Sequence, residues 1–264
     1  MKFKEFDARM RAFEKADDPS VIPGTYAIAR LDGRGFTKLL EKSGYTKPFD
    51  DNFHVAMTTT LGYLMNNRGF NILYGYTQSD EISLLIDPYD DSFDRKIRKW
   101  ISVLAGEASA HMTMIAGSPL VFDCRIVLLP HVADVKDYFR WRMADAQRNA
   151  LNSAAFWTLV SLENMSRRKA ASWMNGTGVA EKKNMLLRNN VNFDELESWK
   201  RNGTGAYWML KPKEGFNPKT QEKVEVLRRR IRIDDTLPVG DLHDNLIQGI
   251  ISSPNRIHKQ IIRS

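Results

Sequence analysis

The order of apolar runs constrains the fold of this chain most. Residues 25–31 (Thr-Tyr-Ala-Ile-Ala-Arg-Leu) predict a largely buried strand. Residues 50–67 predict a helix with Asp50 or Asp51 available as N-cap, Met57, Leu61, Leu64 and Met65 near one face, and Gly69 at its end. Asn71–Tyr76 reads as a second strand, Thr77-Gln78-Ser79-Asp80 as a polar turn, and Glu81–Ile86 as a third strand. A second helix follows over about residues 92–116, then a fourth strand, Val121–Leu129, stopped by Pro130. This β-α-β-β-α-β order predicts an α+β, two-layer fold with a ferredoxin-like core, an arrangement shared by polymerase palms, RNA-recognition modules and nucleotide cyclases.

Right-handed crossover makes strand one parallel to strand two, with strand three antiparallel between them. Asp32, closing strand one, and Asp80, in the turn, then share one sheet edge although 48 positions apart. A glycine-flanked aspartate at a strand end is commonplace, and so is an aspartate in a hairpin turn. Together they mean more: adjacent carboxylates repel unless positive charge lies between them, and two Mg²⁺ ions would supply it and organise in-line attack on phosphorus. Gly33 and Gly35 allow close backbone approach to a ligand, but the segment is neither a Walker A loop nor a complete dinucleotide fingerprint. Lys47 can neutralise triphosphate charge, Asp50 can accept from a purine edge and Tyr45 can stack on a base. Periodicity alone favours a solvated loop leading into a capped helix. Arg125, in an apolar strand, must find an anion, either a protein carboxylate such as Asp123 or a ligand phosphate. Glu107 and His111 share a helix face but lack a third metal ligand, and the other histidines are scattered, so both read as structural.

After Pro130 the pattern turns helical. Tyr138–Leu162 predicts a long helix or a broken pair, followed by the basic stretch Arg167-Arg168-Lys169 and by Glu181-Lys182-Lys183-Asn184. Gly205–Lys211 and Val224–Ile233 predict paired strands, the second holding Arg228-Arg229-Arg230, and the last 25 or so residues give little signal. We expect a catalytic core over 1–135 and a helical, basic β-hairpin extension over 136–264. The net charge of +7 is unevenly placed: residues 1–138 carry 17 basic and 19 acidic side chains, and residues 139–264 carry 22 and 13. The first half suits cations and the second a polyanion such as RNA. No apolar run approaches the roughly 20 residues that span a bilayer, so no membrane association is expected. The charged N-terminus lacks a signal-peptide core, and the single cysteine, Cys124, reads as a buried thiol of a cytoplasmic protein.

The chain resembles the tRNA-histidine guanylyltransferases and their relatives, the 3′–5′ nucleotide polymerases. The resemblance spans about residues 25–190. It rests on Arg30-Leu31-Asp32-Gly33-Arg34-x-Phe36, Lys47-Pro48-x-Asp50, Gln78-Ser79-Asp80-Glu81, Phe122-Asp123-x-Arg125, Trp141-Arg142-x-x-Asp145 and Lys183-Asn184. It implies a palm-like fold in which Asp32, the Gly33 carbonyl and Asp80 hold two Mg²⁺ ions, with Glu81 supporting them. It also implies nucleotide contacts from Gly33 to Thr37 (Arg34, Gly35 and Phe36 between them), from Lys47, Ser79 and Arg125 to triphosphate, and from Asp50 with the Tyr45–Thr46 backbone to guanine. The implied reaction activates a tRNA 5′-phosphate with ATP or GTP, after which the 3′-hydroxyl of an incoming nucleotide attacks. Family members form homotetramers, dimers of dimers, with RNA spanning subunits. That gives Arg148, Asn149, Arg167, Arg168, Lys182, Lys183, Asn184 and Arg228–Arg230 the expected role of binding tRNA.

The strict guanylyltransferase branch carries His-Ile-Asn-Asn-Leu-Tyr-Asn-Thr after the aspartate matched by Asp145, where this chain has Gln147-Arg148-Asn149-Ala150-Leu151-Asn152-Ser153-Ala154. The segment is more similar to bacterial and archaeal relatives that repair 5′-truncated tRNAs against the opposite strand, which is the expected activity. Single-guanylate addition to tRNA-histidine is the nearest alternative. A palm-type cyclase would need no RNA, and the basic second half argues against it. A non-catalytic RNA-recognition sheet would carry aromatics on its central strands, and strand three has none.

Overall fold

The computed structural model describes residues 3–16, 18–36, 44–66, 69–217 and 222–253. An N-terminal helix, Phe3–Lys15 (α1), precedes strand Tyr26–Arg34 (β1), helix Asp51–Asn66 (α2) and strands Ile72–Gln78 (β2) and Glu81–Ile86 (β3). A 3₁₀ turn at Ser92–Arg95, helix Ile97–Ala116 (α3) and strand Val121–Leu129 (β4) complete the β-α-β-β-α-β order. Helices Val132–Ser161 (α4), Arg167–Met174 (α5), Val179–Arg188 (α6) and Ser198–Asn202 (α7) follow, then strands Thr204–Asn217 (β5) and Glu222–Asp234 (β6), and helix Asp241–Ser252 (α8).

The strands form a single sheet in the order β4-β1-β3-β2-β5-β6, every neighbouring pair antiparallel. β1 and β2 are therefore parallel, with β3 between them, as the crossover argument requires. β1 does not stop at Leu31: Asp32, Gly33 and Arg34 stay paired with Asp123, Phe122 and Val121 of β4. The expected C-terminal strand pair is present but longer, and β5 joins β2 so that the pair extends the same sheet.

Strand alternation sends side chains to two helical layers. Ala27, Ala29 and Leu31 of β1 and Ile82, Leu84 and Ile86 of β3 belong to one apolar cluster with Leu61 and Leu64 of α2 and Trp100 and Leu104 of α3. Ile28, Leu85, Tyr74 and Tyr76 belong to a second, with Val135, Phe139 and Met143 of α4 and Ile247 and Ile251 of α8. The Tyr74 hydroxyl pairs with His243 Nε2 at 3.2 Å, and burial lowers the His243 pKa to about 4, so the ring is neutral. Cys124 is only half-buried at the first cluster, not a core residue; burial, with Asp123 and Asp32 nearby, pushes its thiol up to about 12. No helix among the described residues is long and apolar enough to cross a membrane.

The expected long helix begins earlier, at Val132, and is unbroken over 30 residues. A capping box starts it: Asp134 accepts from the His131 backbone N–H at 3.0 Å, and the His131 side chain accepts from the first turn. Its first half packs on the sheet. Its second half buries Ala150, Leu151, Ala154, Ala155 and Leu159 with Ala170 of α5 and Met185 and Leu186 of α6.

Gly203, between α7 and β5, has φ +75°, and a Cβ there would lie 2.6 Å from Tyr76 Oη and 2.7 Å from the Thr77 carbonyl. Backbone conformation and close approach both demand glycine. Gly203→Ala is expected to cost about 1–3 kcal/mol of stability, read as a lower urea midpoint with unchanged m-value.

Candidate active site

The β1–β3 register sets Asp32 opposite Glu81, and the Gly33 N–H donates to the Asp80 carbonyl at 2.9 Å. Asp80 follows Ser79, whose φ of +53° closes the two-residue turn between β2 and β3. A Cβ on Gly33 would lie 2.8 Å from Asp80 Cβ and 2.9 Å from the Phe36 ring, so this approach exists only with glycine. The sheet thus brings the Asp32 and Asp80 segments together at one edge, as the topology predicts. Burial pushes the Asp80 carboxyl upward and Asp32 adds to the shift; Ser79, donating at 3.3 Å, and Lys47 oppose it.

A charged network surrounds the pair. Arg30 Nε lies 3.2 Å and Arg125 Nη2 3.3 Å from the same Asp32 Oδ2. Arg125 therefore finds its anion in Asp32 across the sheet rather than in Asp123. Glu81 is gripped by Arg142 of α4 through two parallel bonds, Nε–Oε1 at 2.8 Å and Nη2–Oε2 at 2.7 Å. Burial pushes the Glu81 carboxyl up and Arg142 pulls it back. Arg142 also holds Asp145 at 2.9 Å, and Asp145 accepts from Arg148 and, at 3.2 Å, from Asn149.

A cavity of about 480 Å³ opens at this edge, lined by Asp32, Ser79, Asp80 and Glu81 on the sheet side. Tyr45, Thr46, Lys47 and Asp50 line it from the loop before α2, and Asp145 and Asn149 from α4. Asp50 caps α2: Oδ1 accepts from Phe53 N–H at 2.9 Å and Oδ2 from Thr46 N–H at 2.8 Å. Burial works to raise its carboxyl, but these backbone donors prevail and hold it below the usual carboxylate range. The Tyr45 ring meets Phe53 edge-on at 5.9 Å.

Five expected nucleotide contacts, Gly33, Arg34, Gly35, Phe36 and Arg125, do not line this cavity, and Thr37 lies outside the described residues. Phe36 is 1% exposed, edge-on to Phe122 at 5.0 Å, so its ring serves the core and only its backbone is left for a ligand. Sequence reasoning missed the wall made by Trp199 and His54, stacked at 4.0 Å, with His54 Nε2 3.0 Å from Asp235 Oδ1. Their separation of 145 positions leaves no local signal.

The expected RNA contacts fall on α4, α5, α6 and β6. Arg148, Asn149, Arg168, Asn184, Arg228 and Arg230 are exposed. Lys182 Nζ lies 3.0 Å from Asn152 Oδ1, and Lys183 pairs with Asp194 at 2.7 Å. The Arg167 guanidinium sits over Trp157 at 5.2 Å. Arg229 departs from its two neighbours: it is half-buried, with its guanidinium 4.3 Å from the Trp208 ring centroid.

The carboxylates of Asp32 and Asp80, both on the cavity wall, offer hard oxygens. Among the described residues no three His, Cys, Asp or Glu side chains converge as a metal cluster. Two carboxylates beside a nucleotide-sized cavity nevertheless fit Mg²⁺, which takes one or two protein carboxylates and completes its shell with phosphate oxygens and water. The Asp80 carboxyl is raised first by burial, with the neighbouring Asp32 charge adding to the shift.

A family model described as tRNAHis guanylyltransferase matches residues 7–130, and one described as Thg1 C terminal domain matches residues 133–248. A probable tRNA(His) guanylyltransferase of Bos taurus is 30% identical, covering 90% of this chain and 82% of the relative. The tRNA(His) guanylyltransferase of Debaryomyces hansenii is 29% identical, covering 81% and 86%. A bacterial tRNA(His) guanylyltransferase (Thg1)-like protein solved in complex with ATP superposes with a TM-score of 0.72 at 25% identity, covering 93% of this chain and 98% of that one. The Saccharomyces cerevisiae enzyme, at 22% identity, shares the fold with a TM-score of 0.69 over 74% and 90% of the two chains. The protein is thus a nucleotidyltransferase. The chain belongs to the tRNA(His) guanylyltransferase family.

Arg142→Met leaves the buried Glu81 carboxylate without its partner and is expected to cost about 3–5 kcal/mol. In a double-mutant cycle with Glu81→Gln, urea denaturation should show the double variant losing less than the sum of the single losses.

Proposed function

We propose that the protein is a Mg²⁺-dependent 3′–5′ nucleotidyltransferase that adds nucleotides to the 5′ ends of tRNA, chiefly in templated repair of truncated ends in the cytoplasm. The observation that carries this reading is the pairing of Asp32 and Asp80 at one edge of a nucleotide-sized cavity that also holds Lys47. Bacterial Thg1-like proteins similar to this chain were solved in complex with ATP and with GTP, which supports a triphosphate as the occupant.

In this reading β1–β4 with α2 and α3 are a polymerase-palm core. Asp32, Asp80 and the Gly33 carbonyl would hold two Mg²⁺ ions, which neutralise triphosphate charge and favour in-line displacement at phosphorus when bound. Lys47 and Ser79 bind the triphosphate from the cavity wall, and Arg125, which lies on Asp32 and not on that wall, is the third triphosphate contact. Asp50 and the Tyr45–Thr46 backbone orient the base. Arg142 fixes Glu81, the first residue of β3, and so the strand that follows Asp80. The 5′-phosphate of the RNA is activated with ATP or GTP, and the 3′-hydroxyl of the incoming nucleotide then attacks it. Residues 1–135 act as the catalytic core; residues 136–264 provide RNA contacts and the contacts of a homotetramer.

Repair is favoured over single-guanylate addition by the segment after Asp145. Gln147 is tied to Asn202 at 2.8 Å and Asn152 to Lys182, amides where the strict branch carries His and Tyr. Single-guanylate addition is the second reading, since the curated relatives are named for it. Incubating tRNAs that lack 5′ nucleotides with each triphosphate separates them. Addition should match the opposite strand and stop at full length, whereas one guanosine regardless of template overturns repair. Asp80→Ala should abolish addition while leaving RNA affinity and the circular-dichroism spectrum unchanged; wild-type rates in that variant would remove the metal assignment.

A further inference from the structure

A second groove, of about 460 Å³, lies along the far half of α4. Asn152, Ser153, Phe156 and Trp157 line it from α4, Met174 from α5 and Lys182 from α6. Ser153 lines the active-site cavity as well, so the two spaces adjoin along the helix. Asn149, Asn152, Ser153 and Phe156 follow helical spacing along one face. From Asn149 to Phe156 the helix rises about 10 Å, the reach of a few nucleotides at about 3.4 Å per stacked step.

The chemistry of the groove is that of a nucleotide site. The Phe156 and Trp157 rings meet edge to face at 5.5 Å, half-buried. The Arg167 guanidinium over Trp157 and Lys182 on Asn152 place cations beside the rings. Arg168 and Lys169, both exposed, continue the positive charge along the first turn of α5. Cations interleaved with aromatics suit a base with its flanking phosphates better than an apolar partner helix, which would strip water from those charges.

We propose that this groove holds an unpaired nucleobase of the RNA substrate, stacked on Trp157, from a single-stranded 3′ overhang beside the 5′ end that occupies the active site. Arg167 and Lys182 hold its flanking phosphates. This rests on the reading of the protein as an enzyme of RNA 5′ ends.

The test compares an RNA duplex bearing a single-stranded 3′ overhang with the same duplex made blunt. Wild-type protein binds the overhang form more tightly. Trp157→Leu loses about five- to hundredfold of that affinity, the scale of one base–aromatic stack, with blunt-duplex affinity unchanged, and Trp157→Phe restores most of it. ATP affinity and the circular-dichroism spectrum of each variant establish that the cavity and fold persist. In the unaltered protein, a 4-thiouridine placed in the overhang crosslinks within residues 152–157 or α5. Equal losses on both duplexes, no loss at all, or a crosslink confined to β6 would overturn the proposal. Nucleotide addition to a 5′-truncated tRNA is scored separately. Addition with no overhang preference sinks the groove and keeps the enzyme; a Trp157-dependent preference without any addition does the reverse.

Discussion

One backbone hydrogen bond, from Gly33 N–H to the Asp80 carbonyl, decides whether this molecule has a site at all. It ties the end of β1 to the turn of the β2–β3 hairpin, and its length of 2.9 Å is reached only because residue 33 has no Cβ. The strand register makes the arrangement unambiguous. A one-residue slip of β3 would send Glu81 to the opposite face, away from Arg142, and would bury Ile82 among charges. The apolar alternation that builds the core therefore also sets the catalytic geometry.

The cost of that geometry is concentrated negative charge, and the fold meets it with arginines from three elements. Arg30 from β1, Arg125 from β4 and Arg142 from α4 compensate Asp32 and Glu81. Asp80 has no arginine among its influences: burial, with Asp32 adding to it, pushes its carboxyl upward, and only Ser79, backbone donation and Lys47 oppose the shift. The network also joins layers. Through Glu81, Arg142 and Asp145, the hairpin is connected to the exposed Arg148 and Asn149, so the sheet edge and the helix surface hold one another in place.

Much of this was legible in the sequence where apolar periodicity spoke. β3 and β4 were expected at their observed limits, and the strand order followed from chain order with the crossover rule. The limits of β1 were not, because Asp32, Gly33 and Arg34 look like loop residues while their backbones pair with β4. That Arg125 meets a protein carboxylate was legible; which one was not, because the nearest acid in sequence is two positions away while β1 presents Asp32 across the sheet. The wall of Trp199 and His54, and the contact of His54 with Asp235, were invisible, since three distant segments meet there without any repeating pattern. The helix α8, in a region with little signal, is pinned by Ile247, Ile251 and His243, whose role shows only once β2 supplies Tyr74.

The unbroken course of α4 has a mechanical consequence. Arg142 clamps its first half to the sheet, and Trp157 stands 15 residues further on, about 22 Å at 1.5 Å per residue. Pivoted at that clamp, a tilt of about 5° carries the far end through about 2 Å, close to the scale of helix shifts in switching proteins. A rod of this kind is a lever: load placed on its distal arm arrives at Glu81 as torque, with no intervening hinge to dissipate it.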